Sequence, residues 1–408
     1  MRDRILTKVQ ATIGFISGLT APKVVNHKRI HTPRDVIEDI RELYGVEISY
    51  QQAWRARERA LEMLKGKPSK GYKQMSRYIW MLNNVYPNSY IRMQKTEDNK
   101  FMYLFIALRS LIRGFDYCRP VVVVDAAHLG GAYKGTFVSA STLDGAGCIL
   151  PLAYGVVDTE NDCSWTWFFE HFKNAFAYRK EDFDKLMAKV VKVDHRVKDY
   201  LEEAGYEKWS RVHSTINRGR MMTLNIAECI NGCLVDARKL TIIDFLEEAR
   251  LLFGSWNYKN REIASYTKDT LGGRFEEILI VNASKSSKMK VVPSSEYIFT
   301  FHEAGKRYIV CLERKTCTCG RFQHDEIPCA HTIAALKHKN VNNLHPYCSD
   351  YSKPYALEKT YEVVMVPMPD KEDWNVPEYV LDEIVRPPRY RRLAGNQESE
   401  ERKMRIRK

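Results

Sequence analysis

The stretch CTCGRFQHDEIPCAH, Cys317 to His331, restricts what this chain can fold into more than any other. Two cysteines stand one residue apart. Nine residues later, a cysteine and a histidine stand one residue apart. Side chains at i and i+2 of an extended segment point to the same side, so Cys317 and Cys319 can present two sulfurs together. Pro328 precedes Cys329, and HTIAALKHK reads as a helix starting near there. Cys329 and His331 can then close a tetrahedron from the mouth of that helix. Three thiols and an imidazole make a structural zinc set with no open position. The bland alternative is four unrelated residues on a loop, and the hairpin-then-helix context argues against it. The nearby Cys311, His302 and His324 read as core or solvent residues.

The rest of the composition agrees with a single metal site. Of ten cysteines, only three fall into a tight pattern, which fits a reducing compartment better than a disulfide framework. The formal net charge of +13 points to an anionic partner, with DNA first. An incidentally basic soluble protein is the competing reading. There is no apolar run of about 18 residues, so no membrane partner is expected. Lys8 and Gln10 interrupt any signal-peptide core near the start, which leaves the cytosol or the nucleus.

With 408 residues, two or three domains are expected. Residues 1–31 are basic and show no clear periodicity; they read as an N-terminal remnant. Residues 32–88 read as helical and as a DNA-binding candidate. Thr32 can cap a helix with Pro33 at its first position. Val36, Ile37, Ile40 and Leu43 recur at helical spacing. A turn containing Gly45 leads to a basic helix carrying Ala53, Ala56 and Ala60. Such a unit could enter a DNA groove or be a plain helical hairpin. Residues 89–262 hold strand-like runs, among them VVVVDAAHL, TFVSASTLD and CILPLAYGVVD, then the amphipathic helix SWTWFFEHFKNAF and further helices. Residues 263–345 contain a hairpin turning at Glu303 to Lys306 and the cysteine cluster, with a core near 296–338. Residues 346–408 form an extension ending in a Pro-, Arg- and Lys-rich tail expected to be disordered.

Cys-x-Cys, nine residues, then Cys-x-His resembles the SWIM zinc finger, which often closes plant Mutator-like (MULE) transposases and the proteins derived from them. Three other stretches resemble the same family: DAAHLGGAYKG its first catalytic strand and turn, PLAYGVVDTENDCSWTWFFEHFKNAF its next strand and helix, and MTLNIAECINGCL its Asn-x-x-Glu helix. The resemblance covers roughly residues 30 to 390. It implies an α+β chain with a helical N-terminal region, a ribonuclease-H-like core of the DDE type, a helical insertion and a small C-terminal finger. It also implies a nuclear protein that touches DNA, with protein partners reachable through the finger.

In that family two aspartates and a glutamate hold paired Mg²⁺ ions, because two-metal phosphoryl chemistry needs clustered hard oxygen ligands. Asp125 closes the Val121–Val124 run, where the first aspartate belongs. Glu228, inside NIAECIN, matches the glutamate, with Ile226 and Ile230 as inward neighbours; a solvent-facing glutamate is its alternative. The second aspartate is missing: FKNAF runs straight into AYRKEDFDKL, with neither an apolar strand nor a Cys-x-x-His pair between. Asp194 is the remaining substitute, but Leu186, Val190, Val193 and Val197 put it on a helix. Asp158, Glu160 and Asp162 read better as loop residues before the SWTWF helix, with Asp162 or Ser164 as its N-cap. The expectation is a zinc-binding, transposase-derived DNA-binding protein with impaired catalysis. The alternatives are an active Mg²⁺-dependent DDE transposase and a zinc-stabilised protein-interaction module.

Overall fold

The computed structural model describes residues 11–24, 31–65, 68–130, 133, 135–176, 225–268 and 270–388. The helix expected over 181–205, with Asp194, lies outside the described residues. The described architecture is mixed α/β.

Three helices come first: α1 (Ile13–Val24), α2 (Pro33–Tyr44) and α3 (Tyr50–Lys65). Thr32 caps α2 as expected, and Asp35 completes a reciprocal capping box. Gly45 closes α2 in the left-handed conformation. Val36 and Ile40 are buried, but Leu43 is exposed: its turn of helix is not covered by a neighbour. Within residues 1–31, read as an N-terminal remnant without clear periodicity, Ile13–Val24 is helical. Helix α1 packs along α3, burying Ile16, Ser17 and Thr20 beside Ala53 and Ala56. Its inward face mixes Ser and Thr with apolar residues, so hydropathy alone shows no stripe; Ser17 and Thr20 satisfy their hydroxyls on carbonyls one turn back.

After α4 (Pro68–Lys73) and α5 (Met75–Val85) comes a five-stranded antiparallel sheet. Its strands are β1 (Tyr90–Lys95), β2 (Phe101–Ala107), β3 (Val123–His128), β4 (Thr136–Leu143) and β5 (Ile149–Val157), in the spatial order β1-β2-β5-β4-β3. Helix α6 (Arg109–Phe115) separates β2 from β3, and α7 (Asp162–Phe176) follows β5. The cap of α7 differs from expectation. Asn161 Oδ1 accepts from the Ser164 amide at 2.9 Å, and Ser164 Oγ accepts from the Asn161 amide at 3.1 Å. Asn161 therefore caps the helix.

Helices cover both faces of the sheet. On one face, Phe168 of α7 meets Phe105 of β2. On the other lie α8 (Asn225–Cys233) and the long α9 (Ile242–Tyr266), where Phe245 meets Phe137 and Phe253 meets Tyr154. Asp125 pairs with Ser139, which pairs with Tyr154, so the period of two puts Asp125 on the α8–α9 face.

Helix α10 (Gly273–Ser286) leads into a second sheet, β6 (Val291–Pro293), β7 (Ile298–Glu303), β8 (Lys306–Cys311) and β9 (Thr316–Cys317). Ala304 and Gly305 form the two-residue β7–β8 loop, both at positive φ, at the position the sequence marks. Then follow α11 (Arg321–Asp325) and α12 (Ala330–His338).

The C-terminal extension is structured through residue 388, past α13 (Pro354–Thr360) and α14 (Glu378–Leu381). Trp374 packs on Tyr78, and Arg386 exchanges backbone hydrogen bonds with Asn99 and Phe101 beside β2. The basic tail from residue 389 lies outside the described residues.

Candidate metal centre and the carboxylate pair

Two short elements bring the cluster together. Cys317 ends β9, and its backbone is pinned from both sides by Gln323: the Cys317 amide donates to Oε1 at 3.0 Å, and Nε2 donates to the Cys317 carbonyl at 2.9 Å. Gly320, at φ 79°, turns the chain in the left-handed region where a Cβ is strained, and its amide donates to the Cys317 carbonyl at 2.9 Å. Cys329 stands at the N-cap of α12, so the first turn of that helix delivers both Cys329 and His331. Pro328 is held from outside by Asn282 of α10, whose Nδ2 donates to its carbonyl at 3.0 Å.

The four expected ligands converge. One ligand atom from each of Cys317, Cys319, Cys329 and His331 lies within 4.8 Å of every other. Cys317 Sγ is 3.7 Å from His331 Nδ1. Zinc–sulfur bonds of ~2.3 Å and zinc–nitrogen bonds of ~2.0–2.1 Å give tetrahedral edges of about 3.6–3.8 Å, so the set fits zinc. Cys317, Cys329 and His331 are buried. Hydrogen bonds from Cys317 and Cys319 hold the Cys329 thiol well below the ordinary thiol range, while bonding to Cys319 and Cys329 pushes Cys317 far above it. Three thiolates brought this close need a cation at their centre.

Outer groups orient the imidazole. Tyr308 stacks on it at 4.5 Å between centroids, and Phe301 packs at 5.5 Å. Glu303 Oε2 lies 3.2 Å from Nε2, close enough for ion pairing though off the line of a good hydrogen bond. A carboxylate on the Nε2 side of a histidine ring favours the proton there, which leaves Nδ1 toward the sulfurs. Neither Cys311, His302 nor His324 belongs to the cluster.

The carboxylates come from two separate elements. Asp125 is half-buried on β3, and Asn231 of α8 donates Nδ2 to its Oδ2 at 2.7 Å. Glu228, one turn earlier on α8, is exposed, while Ile226 and Ile230 are buried as expected. Among the described residues, no third acidic group gathers with Asp125 and Glu228 into a metal-holding cluster. Asp158 instead accepts from the Thr159 amide at 2.7 Å. Asn231 was not singled out from the sequence, although its place three residues after Glu228 puts it on a neighbouring face of α8.

A second polar cluster was also not foreseen. Asp144 is buried and accepts from the amides of Ala146 at 2.9 Å and Cys148 at 2.7 Å. The Tyr361 hydroxyl donates to it at 2.7 Å and accepts from Asn260 Nδ2 at 2.9 Å. These bonds tie the β4–β5 turn to α9 and to the end of α13. Burial raises the Asp144 carboxyl above the ordinary range, opposed by those hydrogen bonds.

A Cys₃His cluster on a hairpin-and-helix unit has the ligand set of a zinc finger. Residues 121–188 match the MULE transposase domain family, and residues 308–340 match the SWIM zinc finger. Over these two stretches the chain is similar to MULE transposases and to SWIM zinc fingers. No curated protein and no solved structure matches it.

Proposed function

We propose that this is a nuclear, zinc-binding DNA-binding protein whose MULE core has a ribonuclease-H-like layout and has lost efficient strand-transfer chemistry. The layout is supported by the β3–β4–β5 meander followed by α7, with Asp125 on the first strand and the Glu228 helix packed against it. Impairment rests on one observation. Asp125 is bonded to an amide, and among the described residues no other carboxylate joins it and Glu228. Two-metal catalysis needs hard oxygens on both ions, and two carboxylates alone hold Mg²⁺ poorly. In addition, β3 is an edge strand among the described residues, so the strand carrying Asp125 lacks a neighbour on its outer side. Zinc, by contrast, would be held by Cys317, Cys319, Cys329 and His331 and would serve to fix the finger. DNA binding is supported by the net charge of +13.

The test is incubation with Mg²⁺ or Mn²⁺ and labelled duplex bearing terminal inverted repeats. No cleavage above background is expected. Cleavage that disappears in Asp125→Ala would restore the active DDE transposase, with its third carboxylate outside the described residues. Retention of the duplex on a gel at low salt, weakening steeply as salt rises, is the expected sign of DNA binding.

A further inference from the structure

We infer that α2 and α3 form a helix-turn-helix unit that presents the outer face of α3 to the major groove of duplex DNA. The inference rests on the DNA-binding reading above and names the surface that would read sequence. Helix α1 lies against α3, α2 packs beside it, and Val46 and Ile48 plug the turn between α2 and α3. The inner stripe of α3 is Ala53, Ala56 and Ala60, each fully buried. At 100° per residue, Gln51, Trp54, Arg55 and Glu58 fall roughly opposite that stripe, with Arg59 at its flank. No described element covers this side: Gln51, Trp54, Arg55 and Arg59 are all exposed.

The polar groups on α3 divide into two kinds. Some are occupied with structure. Gln52 is locked into a capping box with Ser49, accepting from its amide at 3.0 Å. Arg57 donates Nε to the His31 carbonyl at 2.8 Å and pairs with Glu58 at 2.9 Å, tying α3 to the chain before α2. The others are uncommitted. Arg55 and Arg59 make no hydrogen bond or ion pair among the described residues, and both are exposed beside Gln51. A carboxamide near a helix N-terminus, a guanidinium one turn on and a second one turn beyond suit an adenine edge, a guanine edge and a phosphate. Trp54, 40% exposed, supplies an apolar plane for a thymine methyl or a sugar. An α-helix is about as wide as the B-form major groove, whereas the major groove of duplex RNA is too narrow to admit it. The occupant is therefore duplex DNA.

The experiment uses the full chain loaded with zinc. A preferred site is first selected from a random duplex library, and binding is followed by fluorescence anisotropy across a salt series. Arg55→Ala/Arg59→Ala is compared with Lys268→Ala/Lys288→Ala, which removes the same charge from exposed positions elsewhere. The first pair should weaken binding to the selected site on the order of tenfold or more and flatten the salt slope by about two. The second should change affinity less than about threefold. Gln51→Ala should relax base preference at one position of the site while keeping affinity for the random pool. Duplex RNA of the same sequence should bind more weakly than DNA. If the wild type binds duplex DNA but the two double variants lose affinity equally, the α3 assignment is overturned and the DNA-binding reading stands. If the wild type binds no duplex at low salt, the broader reading falls with it. Tighter binding of duplex RNA would also overturn the assignment.

Discussion

The finger and the sheet that carries Asp125 bring their polar groups together in opposite ways. In the finger, one turn and one helix mouth deliver all four groups from within Cys317–His331. Its small core of Phe299, Phe301, Val310 and Leu336 is separate from the core of the large sheet. In the larger unit, Asp125 and Glu228 come from a strand and a distant helix, and Asn231 of that helix donates to Asp125. A site built from one short segment keeps or loses its ligands together. Groups from remote segments are each held by packing of their own, so one can change while the others stay in place.

If that contrast is right, damage should stay on its own side. The largest effect is expected for Cys329→Ser. Structural zinc contributes roughly 10–16 kcal/mol of apparent binding energy, more than a segment this small can replace by burial. Native mass spectrometry should show one zinc in the wild type and none in the variant. Hydrogen exchange should lose protection over β7, β8 and α12 but keep it over β4 and β5. A variant that still holds zinc would refute the ligand set, and collapse of both sheets would end the contrast.

Next is Glu247→Ala, which strikes the other side. Glu247 pairs with the buried Arg250 guanidinium at 2.9 Å, and Arg250 also donates to the Tyr86 hydroxyl at 3.1 Å. Removing the carboxylate strands a buried cation at a cost of ~3–5 kcal/mol. A drop in chemical-denaturation stability of the core with unchanged zinc content is expected.

The Asp144 cluster gives a smaller and pH-dependent effect. Tyr361→Phe removes the donor to Asp144 and the acceptor for Asn260, costing about 1–3 kcal/mol. The raised Asp144 carboxyl binds its proton more tightly folded than unfolded. Its stabilising contribution is complete below the unfolded value of about 3.9 and declines as pH rises through the higher folded value. Asp144→Asn, which stays neutral, should therefore gain relative to wild type as pH climbs from about 4 toward neutrality. A gap constant with pH would show that the carboxyl is ordinary.

The smallest effect probes the contact between the two sides. Arg119, just before β3, reaches Glu326 of the finger segment at 2.6 Å. Arg119→Ala should cost about 1 kcal/mol or less, since Glu326 remains part-exposed. Double-mutant coupling of Arg119 with Glu326 beyond that size would mean the finger and the sheet stabilise each other more than their separate cores imply.

The chain's own letters determined the elements whose signals are local. The Cys317–His331 ligands, the Thr32 cap, the Ala304–Gly305 turn and the β3 to β5 runs all appear where residue type and spacing put them. These depend on periods of two or 3.6 and on short-range geometry, which a sequence records directly. What needed the folded chain was everything set by contacts between remote segments. Such contacts brought α1 against α3, returned the C-terminal extension to β2, buried Asp144 under Tyr361, and placed Asn231 rather than a carboxylate on Asp125. Those partners have no fixed offset along the chain. Only the packing of helices on both faces of the sheet selects which of many polar groups ends beside which.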